Sequence, residues 1–462
     1  MSRFRRSPTE NRDMDASMSR NRIVRRALRL HGQLPLPGDK SISHRALIFG
    51  ALGTGRCRIE GLARGEDVRS TVACLRSLGV AIEEKDDAVT VTGAGLQGLQ
   101  APGEVLDCGN SGTTMRLLAG VLAGAGLSAT LDGDAGLRRR PMRRVVEPLR
   151  RMGAAVAGET PMEAAASKDA TTEESYAPLV FAERRGPLQG MEHRLSVASA
   201  QVKTALLLAG LWAEGETRVI EPVLSRDHSE RMLQAFGASI VRDGRSVSIR
   251  QQRFPLRPPS TLQIPGDPSS AAFLVGAALL VPGGTIELRG VDLNPTRVGW
   301  LTALLRMGAR VEVVHTGEEA GDPVGTIRAQ QGPLVASEIE GAEIPSMVDE
   351  IPLLAVVATQ ARGRTVIRGA GELRVKESDR LAQIAAGLRA LGGRVEELED
   401  GLVIDGPSPL QGATVGAAGD HRIAMSLAVA GLAAWGETRI EGAAWADVSY
   451  PGFFDLLEEL TA

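Results

Sequence analysis

Two kinds of apolar segment alternate along this chain. One is a nearly unbroken stretch of small and aliphatic residues, such as Ala205 to Ala213 or Ile351 to Ala358, and reads as a helix. The other is a second helical segment with Leu and Arg at i, i+3, i+4 spacing, closed by glycine at Gly79, Gly153, Gly237 and Gly308. Short β-rich runs such as "TRVIE" and "ARVEV" lie between them. The succession starts again at Ala51, Gly126, Gly215, Gly283, Gly363 and Gly436, and the C-terminus truncates its last copy. A period of roughly 70 to 90 residues is too long for short-repeat solenoids, so the pattern predicts six small α/β units arranged as two lobes of three. Pro and Arg become dense between Arg250 and Pro268, as in a hinge, and the stretch 157–189, with "AAASKDATTEES", reads as a surface insertion.

A length of 462 residues already calls for more than one domain. With aromatics at 3% and 54 glycines, the core must be built from Ala, Leu, Val and Ile. The 53 Lys and Arg nearly cancel the 56 Asp and Glu, for a net charge of -3, which argues against a polyanion binder. Scarce aromatics also disfavour base stacking, so no nucleic-acid partner is expected. Cys57, Cys74 and Cys108 form neither a disulfide framework nor a zinc motif, and a reducing cytoplasm fits them best. No run reaches the ~18 apolar residues of a membrane span. Residues 1–22 lack the apolar region of a secretory signal and are expected to form a disordered extension.

What precedes each apolar helix changes the picture most. Six polar clusters introduce them: "GDKSISHRAL", "DCGNSGTTMRLL", "SVASAQVKTALL", "IPGDPSSAAFL", "PSMVDEIPLL" and "GDHRIAMSL". Such residues cap helices, and taken singly each cluster needs no other explanation. A helix start is also an anion site, however, and Lys40, Arg45, Arg116, Lys203 and Arg422 stand within the first turn or so, where a cation is disfavoured unless an anion is present. Two further groups lie in loops. "GLRRRPMRR" holds Arg140 beside Pro141, and "LRVKESDRL" joins Lys376, Glu377 and Arg380, with Glu377 and Arg380 one helical turn apart. The second group reads equally as a surface ion-pair set. Asp349, next to the apolar run Ile351 to Ala358, is a candidate for proton transfer. Metal-ligand spacings, the P-loop and G-x-S-x-G are absent.

These motifs, in this order, resemble the 5-enolpyruvylshikimate-3-phosphate (EPSP) synthase family. "LPGDKSISHRAL", "GNSGTTMRLL", "RRRPM", "SAQVKTALLLAGL", "SRDHSERML", "VDEIPLLAVVA", "LRVKESDRL" and "DHRIAMSLAV" carry the resemblance from about Ile23 to Leu460, and "ASAQVK" and "IPGDPSSAAF" look most like the bacterial class II subtype. The resemblance implies a two-lobed enolpyruvyl transferase fold of six βαβαββ units, with the active site in the interdomain cleft. It also implies crossings near Pro37 and Pro265, so that residues 23–37 plus 265–462 form one lobe and residues 38–264 the other. The implied reaction transfers the enolpyruvyl group of phosphoenolpyruvate (PEP) to the 5-hydroxyl of shikimate 3-phosphate, without metal or organic cofactor, in a monomer.

Carried over motif by motif, the resemblance assigns Lys40, Ser41, Arg45, Ser199, Ala200, Gln201, Arg226, Asp349 and Lys376 to shikimate 3-phosphate. It assigns Lys40, Gly112, Thr113, Arg140, Gln201, Arg380 and Arg422 to PEP. Glu377, with Lys40 nearby, is the implied acid at the PEP methylene carbon, and Asp349 the implied base. Two positions depart from many relatives: Ala200 replaces a Ser, and Val448 stands where a Lys would contact PEP. Gly112 leaves open the space that Ala occupies in a glyphosate-tolerant pattern, so inhibition by glyphosate is expected. The sister transferase that uses UDP-N-acetylglucosamine is the nearest alternative, but "DGDAGLRRRPMRR" lacks its loop Cys and "DKSISHR" replaces its Lys-Asn opening. A non-catalytic anion-binding protein is the alternative from another class.

Overall fold

The computed structural model describes residues 21–159 and 174–462. Among the described residues six small sheets recur, five with four strands and one with three. Around Thr54–Glu60, the strand Thr261–Gln263 pairs parallel on one side, and Ala88–Ala94 and then Ala81–Lys85 pair antiparallel on the other. The same order is built around Glu216–Ile220 and Gly363–Ile367. Parallel neighbours require a crossover and antiparallel ones only a turn, so each sheet consumes two helices and a terminal hairpin. The three-stranded sheet uses Arg22–Arg25, from the far end of the chain, in place of that hairpin.

Residues 37–266 with 317–324 form one compact unit, and residues 21–36, 267–316 and 325–462 form another. Three sheets lie in each. The stretch 157–189, expected as an insertion, carries most of the strand Val156–Glu159 and all of its partner Tyr176–Phe181. The alternation of "YAPLVF" was the overlooked signal. Residues 160–173, with most of the biased composition, lie outside the described residues, as do residues 1–20 of the expected N-terminal extension.

The first helix of each repeat is buried on nearly all sides: Lys40–Leu52, Gly112–Ala125 and Ala200–Gly210 in one unit, Pro268–Leu280, Ile351–Ala358 and His421–Ala433 in the other. All-round apolar composition suits a helix enclosed by others, whereas the second helices, such as Glu66–Ser77, bury one stripe. The second helices end at glycines with positive φ, including Gly79 (+85°), Gly153 (+104°), Gly237 (+84°) and Gly308 (+78°), where a side chain would be strained.

Five of the six buried helices are capped by their own polar cluster. Asp39, Ser111, Ser199, Asp267 and Asp420 accept from the amides of Ile42, Thr114, Val202, Ser269 and Arg422. The capping explanation of these clusters is therefore correct for five, and it leaves the other amides of each first turn open to further acceptors.

Close helix packing is visible at Gly120, where a Cβ would lie 2.2 Å from the carbonyl oxygen of Ala205 on the neighbouring helix. Backbone cannot yield as a flexible side chain does. We predict that Gly120→Ala lowers stability by about 1–3 kcal/mol, read from denaturant unfolding. An unchanged midpoint would contradict this helix spacing.

Candidate active site

In the unit of residues 37–266, Lys40 opens its helix and donates to Asp67 at 3.0 Å, at the start of Glu66–Ser77. The anion that tolerates this cation at a helix start is thus partly supplied by the chain itself. One turn on, His44 is fully buried and its Nδ1 meets Thr71 Oγ1 at 2.7 Å. Burial pushes the His44 pKa down to about 3, against the opposing pull of Asp67. Arg45, only 2% exposed, donates to Ser229 Oγ (2.7 Å), the Ser41 carbonyl (2.8 Å) and Thr204 Oγ1 (3.1 Å). It thereby ties together the starts of Lys40–Leu52, Ala200–Gly210 and His228–Ala235.

A second group converges on Gly112. Gln201 Nε2 donates to Thr113 Oγ1 at 2.9 Å, and Gln201 Oε1 accepts from Arg116 Nη1 at 2.6 Å, which fixes the amide orientation. Arg140 donates to Asn110 Oδ1, and Asn110 in turn donates to Asp134, the cap of the turn Ala135–Arg138. A Cβ on Gly112 would sit 2.9 Å from Arg116 Nη1 and 3.2 Å from Arg140 Nη1. Gly112, Thr113, Arg140 and Gln201 therefore share one locality. Ser199 caps its helix, and the Ala200 carbonyl accepts from Thr204 Oγ1 at 2.6 Å. Arg226 is half-buried in the loop before His228–Ala235.

In the other unit the centre is Arg380. Its guanidinium donates to Asp349 (2.9 Å), Glu377 (2.7 Å) and Asp420 (2.7 Å) and is 1% exposed. Burial would lower its pKa, but Asp420, Glu377 and Asp349 outweigh that and hold it above the ordinary arginine value. The surface ion-pair reading of "LRVKESDRL" is thus corrected: the arginine is internal. Glu377 and Arg380 pair across a helix start, since the helix begins at Arg380 and Glu377 lies in the preceding loop beside half-buried Lys376.

Arg422 has a different environment two residues beyond Asp420. It is 3% exposed, and its Nε and Nη1 reach no hydrogen-bond partner among the described residues. Its Cζ stands 5.7 Å from the centre of the Phe273 ring, and its own amide is held by Asp420 at 2.8 Å. A cation so desolvated is stable only if an anion meets it. Among the described residues no group of His, Cys, Asp and Glu gathers as around a metal ion, and no helix is long and apolar enough to cross a membrane.

Sequence reasoning missed the groups that act through tertiary contact. Asp67, Asn110 and Asp134 position Lys40 and Arg140, and Asp420 is the buried partner of Arg380. Asp420 and Asn110 had a local signal, in the polar clusters "GDHR" and "CGNSG", but neither pointed to its partner.

The model of the EPSP synthase (3-phosphoshikimate 1-carboxyvinyltransferase) family matches residues 24–457. A 3-phosphoshikimate 1-carboxyvinyltransferase of Synechococcus sp. (strain RCC307) is 52% identical over 439 residues, 93% of this chain and 97% of that one. Another, from Brevibacillus brevis, is 47% identical, covering 95% and 99%. Among solved structures, an EPSP synthase from Acinetobacter baumannii aligns with a TM-score of 0.82 at 38% identity, over 95% and 98% of the two chains. The enolpyruvyl transferase NikO from Streptomyces tendae shares the fold, with a TM-score of 0.74 at 20% identity over 95% and 96%.

The buried histidines make stability depend on pH. His44 and His193 fall from 6.5 to about 3 and about 4 on folding, both chiefly through burial, so the folded chain binds fewer protons than the unfolded chain across that interval. Their contribution is present above 6.5 and lost as the pH falls toward 4 and then 3. The denaturation midpoint should fall through this window, and His44→Gln should show a shallower slope than the parent. Equal slopes would contradict the burial of a neutral His44.

Proposed function

The chain belongs to the EPSP synthase family, its function is 3-phosphoshikimate carboxyvinyl transfer, and we propose that the two clusters described above divide the work of that reaction. Shikimate 3-phosphate is bound by Lys40, Ser41, Arg45, Ser199, Ala200, Gln201, Arg226, Asp349 and Lys376. PEP is bound by Lys40, Gly112, Thr113, Arg140, Gln201, Arg380 and Arg422. The observation that carries this reading is Arg422, a buried guanidinium with unsatisfied donors at the start of His421–Ala433. Each substrate brings a phosphate and a carboxylate, and such anions suit guanidinium forks and helix starts.

Chemistry proceeds by addition and elimination. Glu377 protonates the PEP methylene carbon, Asp349 takes the proton of the attacking 5-hydroxyl, and the C–O bond forms at C2 of PEP. The tetrahedral adduct then returns the added proton to Glu377 and loses phosphate, which leaves with the proton held by Asp349, so that the double bond is restored and both side chains regain their starting forms. Both side chains are held by one guanidinium, at 2.9 Å and 2.7 Å, which supports their acting as a pair of fixed geometry. Lys40 and the arginines stabilise charge as it develops. Arg45 and Ala200 act within this scheme by position as much as by contact: Arg45 sets the Ser41 backbone, and Ala200, lacking a hydroxyl, offers its backbone.

The protein works as a cytoplasmic monomer, and glyphosate competes with PEP. Gly112 supports the last point, because a methyl there would press on the guanidinium ends of Arg116 and Arg140, which can move at some cost to anion binding. Gly112→Ala should accordingly raise the glyphosate inhibition constant and, by a smaller factor, the KM for PEP. Unchanged constants would remove Gly112 from the inhibitor's surroundings. The reading as a whole is tested by phosphate release from PEP with shikimate 3-phosphate or UDP-N-acetylglucosamine as acceptor. Release with shikimate 3-phosphate alone is expected, and release with neither acceptor would overturn it.

A further inference from the structure

Lys203 stands among the helix-start cations, but the proposed reaction gives it no part. It is 1% exposed and within 2.8 Å of both Glu221 Oε2 and Glu230 Oε1. The Ser225 carbonyl lies 3.4 Å from the same ammonium, so its three N–H donors have three acceptors. Glu221 in turn accepts from the Ser225 amide at 3.4 Å and from the Ser225 hydroxyl. Burial pulls the Lys203 pKa down, but Glu230 and Glu221 more than compensate and leave it raised, so the ammonium is permanently charged at neutral pH.

These contacts join three separate segments. Lys203 lies in the first turn of Ala200–Gly210, directly behind Ser199, Ala200 and Gln201. Glu221 follows the strand Glu216–Ile220, and Glu230 is in the first turn of His228–Ala235. The loop that runs between the two glutamates carries Arg226. Both ends of that loop, and Ser225 within it, are therefore pinned to one ammonium buried below the helix start. A plain hydrophobic contact would hold these segments together but would not fix the loop's register, because it has no direction; three hydrogen bonds from one ammonium do.

We propose that Lys203, with Glu221, Glu230 and Ser225, is a positioning device that sets Arg226 against Ser199 and Gln201 for recognition of the shikimate 3-phosphate anion. The proposal rests on the reading given above, and wild-type turnover of shikimate 3-phosphate with PEP tests that reading separately. Lys203→Met alone would leave two buried carboxylates without a counter-charge and is expected to unfold the unit. The informative variant replaces the whole cluster by neutral groups of similar shape, Lys203→Met with Glu221→Gln and Glu230→Gln. Ser225→Ala is the milder second variant, which removes only the hydroxyl bond to Glu221. In the folded cluster variant the Kd and KM for shikimate 3-phosphate should rise by at least about tenfold, while the KM for PEP at saturating shikimate 3-phosphate stays within about twofold. Ser225→Ala should show the same selective rise at a few-fold. A purely structural cluster would lower the melting temperature without separating the two substrates. Wild-type affinity for shikimate 3-phosphate in the folded cluster variant overturns the proposal, and if that variant does not fold, wild-type affinity in Ser225→Ala overturns it.

Discussion

A buried cation needs an anion or a full set of acceptors, and the way such cations are met organises this molecule. Arg380 takes Asp349, Glu377 and Asp420, and Lys203 takes Glu221 and Glu230. Lys40 takes Asp67 at a partly exposed position. Arg422 is nearly as buried as Arg380 and Lys203, but its Nε and Nη1 have no hydrogen-bond partner among the described residues. Internal neutralisation makes scaffold of Lys203, whereas Arg380 holds Asp349 and Glu377, the two side chains to which the proposed chemistry is assigned. The unmet demand at Arg422 is what supports its proposed place as a receptor.

The repeated fold is what brings such groups to helix starts. Each repeat needs a crossover helix between parallel strands, and the three such helices of a unit are enclosed by one another and by the sheets. Their sides are therefore apolar by necessity, and polar chemistry is confined to their ends and to the loops that feed them. Gly120, with the Ala205 carbonyl where a Cβ would be, shows how little space the enclosed faces leave. Asp39, Ser111, Ser199, Asp267 and Asp420 stabilise those ends by capping and still leave amides for a ligand.

Much of this was legible in the chain because it is local. The repeat, the glycines that stop the second helices and the polar clusters that start the first are all written in adjacent residues. Lys40, Arg45, Arg116, Lys203 and Arg422 stood out for the same reason, as cations at helix starts, where a cation alone is unfavourable, and Arg140 and Arg380 as members of local charged loops. What could not be read is the partner of each. Asp67 is 27 residues from Lys40, Asn110 is 30 from Arg140, and Asp420 is 40 from Arg380. Nothing local told Lys203, which is neutralised inside, from Arg422, which is not, because both occupy the first turn of an apolar helix. The stretch 157–189 misled for the opposite reason, since polar low-complexity residues drew attention from the strand beside them.

The central claim is that Arg422 is held at a cost to the fold and meets its anion in PEP. Arg422→Met tests this directly, with unfolding stability and PEP affinity measured on the same preparation. Removal of an unsatisfied buried charge should leave stability equal to the parent or higher, while PEP binding in the presence of shikimate 3-phosphate weakens by about 3 kcal/mol, roughly a hundredfold. A variant that loses stability and keeps its PEP affinity would show that Arg422 serves the fold, and would contradict the account.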